Sequence, residues 1–462
     1  MTELISYSVA RLAGLIRRRE VSPVEVAEAY LARIERLNPS LNAIVTLRPN
    51  VLEQSREAEA ALMRGDKVGP LHGIPLTIKD TIETAALRTT SGSAVRATYI
   101  PEKDAPAVAR LKAAGAIILG KTNTAEMAMD YTADNPVFGR TNNPHDMTRT
   151  PGGSSGGEAV AISTCMSAGG LGSDLAGSIR IPAHFCGIAG FKPATGRVPG
   201  EGQFPPAAGP YALGSAIGPL ARYIADLRLL FSVLAGKNLS PTNDRHESLK
   251  RQRVAWYSDD GISPVTKETR AAVQAAALAL SDVGLEVEER RPPGVDQALD
   301  IWLRLFSRAS VVLLRDVYAG QEEKAGAFVR WRLGSADDTP SPTLDEYIRT
   351  WLERDRLRIE LIEWLNSTPL LIAPVGATPA LEHDAHKVIV EGKAISAFRA
   401  FSYSQAFNAF DLPAVSVPAG RSAQGLPIGV QVIGRPGDED AIFAAAQVIE
   451  DALGGWQPPP LT

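Results

Sequence analysis

The chain has 462 residues, of which 45% are hydrophobic and 22% charged, as is ordinary for a folded globular protein. A net charge of −4 at pH 7 offers no basic surface for a nucleic-acid backbone, and two cysteines are too few for a disulfide framework. The amino-terminal residues lack the apolar run and cleavage site of a secretory signal, and no stretch of about 18 apolar residues predicts a membrane span. Composition therefore predicts a cytoplasmic protein with neither nucleic-acid nor membrane partners, in which Cys165 and Cys186 are small buried side chains.

The first predicted elements are a helix and a βαβ unit. The segment Ser22–Glu25 is typical of a helix start, because it offers a capping hydroxyl, a proline where no N–H is missed and a glutamate that can reach back. Short apolar runs predict buried strands at 74–78 and 116–119, on either side of a helix at 104–114. This alternation predicts two parallel strands joined by a right-handed crossover.

The next segment, residues 148–200, is rich in glycine and serine, so we expect loops to carry much of the function there. Strands predicted beyond it lie at 254–257, 285–289, 370–373, 414–417 and 428–433, and helices at 267–280, 298–366 and 440–453. Because the chain contains no internal repeat and no low-complexity linker, one large α/β unit fits this pattern better than separate domains.

A block of glycines and serines, Gly152–Gly157, is the first candidate for chemistry. Glycines in series adopt backbone conformations that are closed to other residues, so the block could approach a ligand closely. A helix predicted at 158–167 would point its free N–H groups back at the block. Taken alone, the block is interpreted equally well as a flexible turn, and it is not a phosphate loop because it lacks a Gly-Lys-Ser/Thr ending.

A second stretch, Gly172–Pro182, contains a serine that is a candidate nucleophile. Ser178 follows small residues, which leave successive backbone N–H groups free around its hydroxyl. Such N–H groups can bind the oxyanion of a tetrahedral intermediate.

Lys79 is the third candidate, because it ends the apolar run of the strand predicted at 74–78. A lysine that enters the interior loses hydration, which lowers its pKa and can make it a neutral base. Taken alone, however, Lys79 is better interpreted as the partner of the adjacent Asp80 in a salt bridge.

Together, the three motifs resemble those of the amidase-signature family of serine hydrolases. That family has a GGSSGG block, a GGSIR-like motif at the nucleophile and an upstream lysine in the context G-x-P-x-x-x-K-D, which correspond here to Gly152–Gly157, Ala176–Arg180 and Gly73–Asp80. The resemblance also covers residues 111–126, 138–144, 185–197 and 412–434, and it is weak between residues 200 and 410.

The resemblance implies an α/β fold. It implies a single large α/β/α domain over residues 1–462, with a central twisted mixed β-sheet flanked by helices. Within it, the core motif region would be 70–200 and a variable helical substrate-pocket region would be at about 290–400.

The resemblance further implies a Ser–cis-Ser–Lys mechanism that needs neither a metal nor an organic cofactor. Ser178 would attack the carbonyl carbon of the substrate and form an acyl-enzyme. Ser154, which follows a cis peptide bond with Gly153, would relay a proton between Ser178 and a neutral Lys79. The same pair would then protonate the leaving amine and activate water.

An oxyanion hole is implied around the nucleophile, formed by the backbone N–H groups of Leu175, Ala176, Gly177 and Ser178. Asp174 and Arg180 are expected to brace this loop rather than react. The family commonly has two glycines before the nucleophile, whereas alanine occupies position 176 here and resists a positive φ.

The implied activity is that of an amidohydrolase, which cleaves the C–N bonds of small to medium hydrophobic or aryl amides. Carbamates (urethanes) and esters are plausible second substrates, because all three pass through the same oxyanion-stabilised intermediate. In relatives the segment after the KTN motif lines the acyl pocket, which predicts substrate contacts from Ala128, Met129 and Asp130. Aromatic residues of the variable region could wall a hydrophobic pocket; they are Trp302, Phe306, Phe328, Trp331, Trp351 and Trp364. Members of the family are often dimers, so a homodimer is also implied.

Two alternatives remain open. The chain could be an amidotransferase subunit that hydrolyses glutamine and passes ammonia to a partner. It could be an α/β-hydrolase-type Ser-His esterase, since Gly152–Gly156 also matches a nucleophile elbow; Ser154 would then be the nucleophile, with His383 or His386 as its base. A non-catalytic binding protein is disfavoured by the intact lysine and serines, and the two histidines as a metal pair lack a third ligand motif.

Overall fold

A mixed sheet of eleven strands lies at the centre of the computed structural model, which describes residues 3–236, 252–337 and 341–461 together with Leu249. The strands of this sheet are β1 (Ile44–Leu47), β2 (Pro75–Lys79), β3 (Ile117–Thr122), β4 (Gly169–Asp174), β5 (Ala189–Lys192), β6 (Ala216–Ala221), β7 (Arg253–Trp256), β8 (Glu286–Glu289), β9 (Leu370–Pro374), β12 (Ala414–Arg421) and β13 (Pro427–Ile433). A separate hairpin is formed by β10 (Lys387–Val390) and β11 (Lys393–Ser396).

The strand order is β1-β3-β2-β4-β6-β5-β12-β13-β9-β7-β8. β2 is parallel to both β3 and β4, and β9, β7 and β8 form a second parallel group. The strands between these groups pair antiparallel. The predicted βαβ unit is confirmed, because β2 and β3 are adjacent, parallel and joined by a helix.

Helices precede, connect and follow these strands. They are Val9–Arg17, Pro23–Leu41, Val51–Arg64, Pro106–Ala113, Gly156–Ser163, Arg180–Cys186, Ile224–Ala235, Lys267–Asp282, Ala298–Trp302, Arg308–Tyr318, Ala327–Asp337, Leu344–Ser367, Ser402–Ala409 and Glu439–Leu453, with a π-helical turn at Leu303–Ser307. Short 3-10 turns lie at Leu4–Ser6, Ala94–Arg96, Glu126–Ala128, Gly209–Ala212, Glu322–Lys324 and Arg399–Phe401. Among the described residues, no helix combines the length and apolar composition that crossing a bilayer requires.

The sheet separates two large apolar cores, because alternate side chains of a strand point to opposite faces. In β9, Leu370 and Ile372 belong to one core, whereas Leu371 and Ala373 belong to the other. The first core also contains residues of the amino- and carboxyl-terminal helices, and the second is filled from the helical region 298–412. The molecule is therefore built as α/β/α layers, which confirms the expected fold class.

Turns and loops occupy much of the glycine- and serine-rich segment 148–200, as expected, but its two strands were not predicted. It contains β4, β5 and two helices, and most of its residues are fully buried. Glycine serves close packing here rather than flexibility: a Cβ at Gly170 in β4 would overlap the carboxylate of Glu158 and the carbonyl of Thr77. The helix predicted at 158–167 accordingly starts earlier, at Gly156, and ends at Ser163.

Candidate active site

Lys79 is the last residue of β2, a strand with neighbours on both sides, and its side chain is fully buried. Its Nζ lies 2.6 Å from Ser154 Oγ and 3.0 Å from Ser173 Oγ. The hydroxyl of Ser173, near the end of β4, was not singled out by the sequence patterns. It reaches the lysine because β2 and β4 are parallel neighbours, so their carboxyl ends meet at one edge.

Burial lowers the pKa of Lys79 to about 7, although the carboxylates of Asp174 and Glu158 oppose this change. A substantial fraction of the amine is therefore neutral near pH 7 and can accept a proton. The alternative interpretation, a salt bridge with Asp80, is wrong. Asp80 Oδ2 instead accepts hydrogen bonds from the N–H and the hydroxyl of Thr90, at 3.0 and 2.5 Å.

The Gly152–Gly157 block presents Ser154 to this lysine. The peptide bond between Gly153 and Ser154 is cis, as expected. Position 153 accepts no side chain, because a Cβ there would overlap the carbonyl of Thr132 and lie 2.7 Å from that of Asp130. The block is thus packed tightly against residues 130–132, and Ser154 is fully buried.

The loop Asp174–Arg180 contains the predicted nucleophile Ser178 and is here called the nucleophile loop. It is braced by its first and last residues. Both side chains are fully buried, and Arg180 Nη2 lies 3.0 Å from Asp174 Oδ1. The carboxylate also accepts the N–H groups of Gly177 and Ile179 at 2.8 and 3.0 Å. Burial alone would raise the pKa of Asp174, but the Arg180 guanidinium outweighs it and holds that pKa below its ordinary range. The expected bracing role of both residues is confirmed.

The N–H groups named for an oxyanion hole are not equivalent. That of Gly177 is already bonded to Asp174, whereas those of Leu175, Ala176 and Ser178 have no acceptor among the described residues. Gly177 has a φ of 104°, while Ala176 is not among the residues with positive φ. The alanine therefore occupies a position that L-residues adopt readily, and the glycine takes the left-handed one.

The predicted substrate segment lies between the Gly153–Ser154 bond and the helices that follow β8. The carbonyl of Asp130 packs on Gly153, and its carboxylate accepts the N–H of Tyr131 at 2.7 Å. Met129 packs in a small apolar cluster with helices Arg308–Tyr318 and Ala327–Asp337. Ala128 has a φ of 56°. Of the predicted segment, Asp130 is thus placed beside the serine block by a direct contact.

Aromatic rings pack beside the nucleophile loop. The ring of Tyr131 lies 4.6 Å from that of Phe401 and 5.5 Å from that of Phe398, which in turn lies 5.3 Å from Trp302. Tyr131 and Trp302 also bond the loop itself, through Ala176 O at 3.0 Å and Leu175 O at 2.8 Å. Tyr131, Phe398 and Phe401 were not singled out by the sequence patterns.

Other aromatic residues of the variable region lie elsewhere. Trp331 is 61% exposed, and its ring lies 5.7 Å from that of Phe328. Trp364 packs against the guanidinium of Arg290. Trp351 and Trp364 are partly buried against the second apolar core. The aromatic residues of the region therefore do not all wall one pocket.

The histidines of the described chain do not support the elbow alternative. None hydrogen-bonds to Ser154 or Ser178 within the ranges given above, and Ser154 Oγ contacts Lys79 instead. His145, the histidine closest in sequence to Ser154, bonds the backbone of Cys186, and His184, the one closest to Ser178, bonds the backbone of Gly429 and Thr378. In the same ranges no group of three or more His, Cys, Asp or Glu side chains is arranged to hold a metal ion.

Comparison with known proteins places this chain among the hydrolases of carbon–nitrogen bonds. A family model described as Amidase matches residues 25–443. The chain is 33% identical to fatty-acid amide hydrolase 2 of Homo sapiens over 98% of its own length and 90% of that protein. It is also 33% identical to a glutamyl-tRNA(Gln) amidotransferase subunit of Carboxydothermus hydrogenoformans, over 97% of each chain.

A solved bacterial aryl acylamidase of the amidase-signature enzymes superposes with a TM-score of 0.83 at 26% identity, over 96% of each chain. The protein therefore belongs to the amidase family, that is, to the amidase-signature enzymes. The resemblance inferred from the three motifs is confirmed, and the chain is an amidase in the broad sense.

Proposed function

We propose that this protein hydrolyses small to medium hydrophobic or aryl amides through an acyl-enzyme, with Ser178 as nucleophile and Ser154 and Lys79 as the proton-handling pair. The observation that carries the proposal is the 2.6 Å contact between Lys79 Nζ and Ser154 Oγ in a fully buried environment. A lysine with a pKa of about 7 can take a proton from a hydroxyl and return it within one catalytic cycle.

The proposed reaction begins with attack by Ser178 Oγ on the carbonyl carbon. Its proton passes to Ser154 Oγ, whose own proton passes to Lys79 Nζ. The backbone supports this arrangement, since the N–H of Ser155 donates to the carbonyl of Ser178 at 3.1 Å and joins the two serine motifs. Return of the proton by the same route expels the amine, and a water molecule activated in the same way releases the acid.

The developing negative charge on the carbonyl oxygen requires donors that are not already bonded. The N–H groups of Leu175, Ala176 and Ser178 meet this condition, so the proposed oxyanion hole consists of these three. The N–H of Gly177, which the sequence also predicted for the oxyanion hole, is not included, because it already donates a hydrogen bond to the Asp174 carboxylate. The contribution of Gly177 is instead the backbone turn that presents the neighbouring groups.

The surroundings of the nucleophile loop favour an apolar acyl or aryl group. Aromatic residues pack beside the loop, and Leu175 packs against the same apolar core. Two similar proteins are named for apolar substrates, a fatty-acid amide hydrolase and an aryl acylamidase. Aryl carbamates and esters are proposed as second substrates, because they pass through the same type of intermediate.

Glutamine is the competing substrate, since the amidotransferase subunit is an equally similar relative. A glutaminase needs a cationic or polar group for the substrate's α-carboxylate. The side chains that pack beside the nucleophile loop are instead aromatic, and the nearby Asp130 carboxylate already accepts the N–H of Tyr131 and the hydroxyl of Thr132 at 2.7 and 3.0 Å. We therefore place glutamine second.

The test is a substrate panel of a nitroanilide, an aryl carbamate, a nitrophenyl ester and glutamine. Ser178→Ala is expected to lower turnover of every substrate by at least roughly 10⁴-fold, as for nucleophiles of other serine hydrolases. Ser154→Ala and Lys79→Ala should impair the nitroanilide more than the ester, because an ester's leaving group needs less protonation. Ser163→Ala, which removes a buried hydroxyl that bonds Val160 O, is the matched control and should leave all rates unchanged.

Two results would contradict the proposal. An active Ser178→Ala variant together with an inactive histidine variant would favour the elbow mechanism. Turnover of glutamine alone would favour the amidotransferase role.

A further inference from the structure

Trp302 reaches the nucleophile loop from the variable helical region. It ends the helix Ala298–Trp302, and its Nε1–H donates a hydrogen bond of 2.8 Å to the carbonyl oxygen of Leu175. An indole N–H can only donate, so the orientation of this bond is unambiguous. The bond joins the wall of the proposed substrate pocket to the backbone that precedes the nucleophile.

This bond has a consequence on the opposite side of the peptide. The carbonyl of Leu175 and the N–H of Ala176 belong to one planar unit and point in opposite directions. A donor that fixes the carbonyl therefore fixes the direction of the N–H, and it also polarises the amide, which strengthens the N–H as a donor. Because the Ala176 N–H has no acceptor among the described residues, it is available to a substrate oxygen.

The neighbouring peptide units of the loop are held in the same manner. Asn408 Nδ2 donates to Asp174 O at 3.3 Å, on the unit that carries the Leu175 N–H. The hydroxyl of Tyr131 donates to Ala176 O at 3.0 Å. Side chains thus bond successive carbonyls of the loop.

The indole itself is rigidly placed. Its ring lies 5.3 Å from that of Phe398 and 5.8 Å from that of Phe306, and the residue is 8% exposed. The chain continues from Trp302 into the π-helical turn Leu303–Ser307, a deviation that is frequent at functional sites. A donor fixed by its neighbours loses little conformational freedom when it bonds the carbonyl.

We propose that Trp302 is a positioning residue of the oxyanion hole, which orients and polarises the Leu175–Ala176 peptide unit so that the Ala176 N–H binds the oxyanion. The inference rests on the proposed function, because it requires attack by Ser178. It gives the variable region a part in the chemical step. The effect is specific to the transition state, because the charge on the oxygen develops only there.

The test compares two changes at position 302. Trp302→Phe removes the donor and part of the ring, and incorporation of 3-benzothienylalanine replaces the N–H by sulfur while keeping the ring shape. Both are expected to lower kcat for the nitroanilide about tenfold with KM nearly unchanged, less than the roughly 10²–10³-fold effect of deleting a direct donor. The affinity for a trifluoromethyl ketone, which forms a tetrahedral adduct with the nucleophile, should fall by the same factor as kcat.

Trp456→Phe is the matched control. Trp456 Nε1 also donates to a backbone carbonyl, that of Ser163 at 3.2 Å, but in a different part of the molecule. It should lower the thermal unfolding temperature as Trp302→Phe does and leave both kcat and inhibitor affinity unchanged.

Several outcomes would overturn the inference. A higher KM with an unchanged kcat would make Trp302 a wall residue only, and equal kinetic losses in the control would point to a general loss of structure. Unchanged kinetics in the benzothienyl variant would show that the N–H is not used. In each case the wild type and Ser178→Ala would still behave as expected. A wild type that cleaves no amide and binds no trifluoromethyl ketone would instead overturn the proposed function, and the inference with it.

Discussion

Lys79 of the candidate site and the neighbouring Glu158 are both fully buried and titratable. Burial raises the pKa of Glu158 to about 7, against hydrogen bonds from Thr122 and Thr77 at 2.6 and 2.5 Å, and lowers that of Lys79 to about 7. Near neutral pH the charge state of each group therefore depends on the other. A charged carboxylate stabilises the ammonium form of the lysine, and a neutral carboxyl does not.

The pH dependence of amide hydrolysis should report this coupling. The proposed base is the neutral amine, which exists above the pKa, so kcat/KM of the wild type should rise with pH through an inflection near 7. Glu158→Gln removes a negative charge that favours the ammonium, so the pKa of Lys79 falls and the inflection moves to lower pH. The measurement is the profile of kcat/KM against pH for the nitroanilide.

Glu450→Gln is the control for that change. Burial also raises the pKa of Glu450 to about 7, but its carboxylate accepts the N–H of Ile224 far along the chain from the site. Its profile should match that of the wild type. An inflection that stays in place or moves upward in Glu158→Gln would contradict the coupling.

At the scale of residues, the members of the proposed proton path are easier to recognise in the sequence than the residues around them. Lys79 stands out because a lysine that ends an apolar strand is unusual, and Ser154 because it lies in a glycine block. Ser173 and Glu158 carry no such pattern. Ser173 reaches the lysine because β2 pairs with β4, and Glu158 lies against Thr77 of β2 in the space that Gly170 leaves. Both are contacts between distant segments.

The nucleophile loop is the element whose backbone conformation matters most. Gly177 has a φ of 104°, and a Cβ there would lie 2.6 Å from Ile181 Cδ1 and 2.7 Å from Ser404 Cβ. The position therefore needs glycine for two reasons, its left-handed backbone and its lack of space. The helix Ser402–Ala409 supplies the neighbouring Ser404 and so limits how far the loop can relax.

Gly177→Ala is expected to displace the nucleophile. Overpacking of this kind costs about 1–3 kcal/mol in addition to the strain of a positive φ, and a misplacement of about 1 Å lowers turnover roughly 10²-fold. Gly196→Ala is the matched control, because Gly196 also has a positive φ, 79°, but has open space around its Cβ position. The measurements are the thermal unfolding temperature and kcat. The control should show a small loss of stability and normal turnover. Equal losses in both variants would contradict the steric argument.

At the scale of elements, strands with apolar runs were predicted within a few residues, as β2, β9 and β13 show. The helix start at Ser22 was also predicted correctly. The Ser22 hydroxyl accepts the N–H of Val24, and the Glu25 carboxylate accepts the N–H of Ser22. β4 was missed because its sequence, GGLGSD, lacks the β-branched and aromatic residues that mark strands. Its conformation is set by its neighbours β2 and β6.

The carboxylate of Glu126 links the predicted substrate segment, residues 128–130, to the helices between residues 308 and 337 by hydrogen bonds. Glu126 lies just before that segment and is 4% exposed. It accepts the hydroxyl of Tyr318 at 2.5 Å and the N–H of Gly326 at 2.9 Å, and Tyr318 also lies 2.6 Å from Ser93 Oγ. The position of the helical region thus depends on a few buried polar contacts.

Tyr318→Phe should loosen this attachment without altering the chemistry. We expect KM for a bulky aryl amide to rise several-fold, kcat for a small ester to stay within about twofold of the wild type, and proteolytic cleavage between residues 319 and 326 to become faster, since a buried hydrogen bond is worth about 1 kcal/mol. Tyr347→Phe is the control, because the hydroxyl of Tyr347 has no hydrogen bond in the described part of the chain. Unchanged proteolysis in Tyr318→Phe would contradict the fastening role of Glu126.

For the whole molecule, the motifs predicted the family and the layered architecture correctly. The strand order of the sheet could not be predicted, because β6 lies between β4 and β5, out of chain order, and the short, glycine-containing sequences of β5 and β6 give no register. The paths of the helices between residues 298 and 367 were also not predictable, since tertiary contacts divide one amphipathic stretch into several helices. The homodimer stays a prediction.

The division of the site between two stretches of chain bears on how this protein can evolve. The proposed proton path and nucleophile come from residues 79–180, whereas much of the aromatic wall comes from residues 298–410. Mutation or recombination in the later stretch can alter substrate range while the chemistry is inherited intact. The hydrogen bond from Trp302 to Leu175 limits that freedom, because any exchanged segment must still supply a donor to this carbonyl.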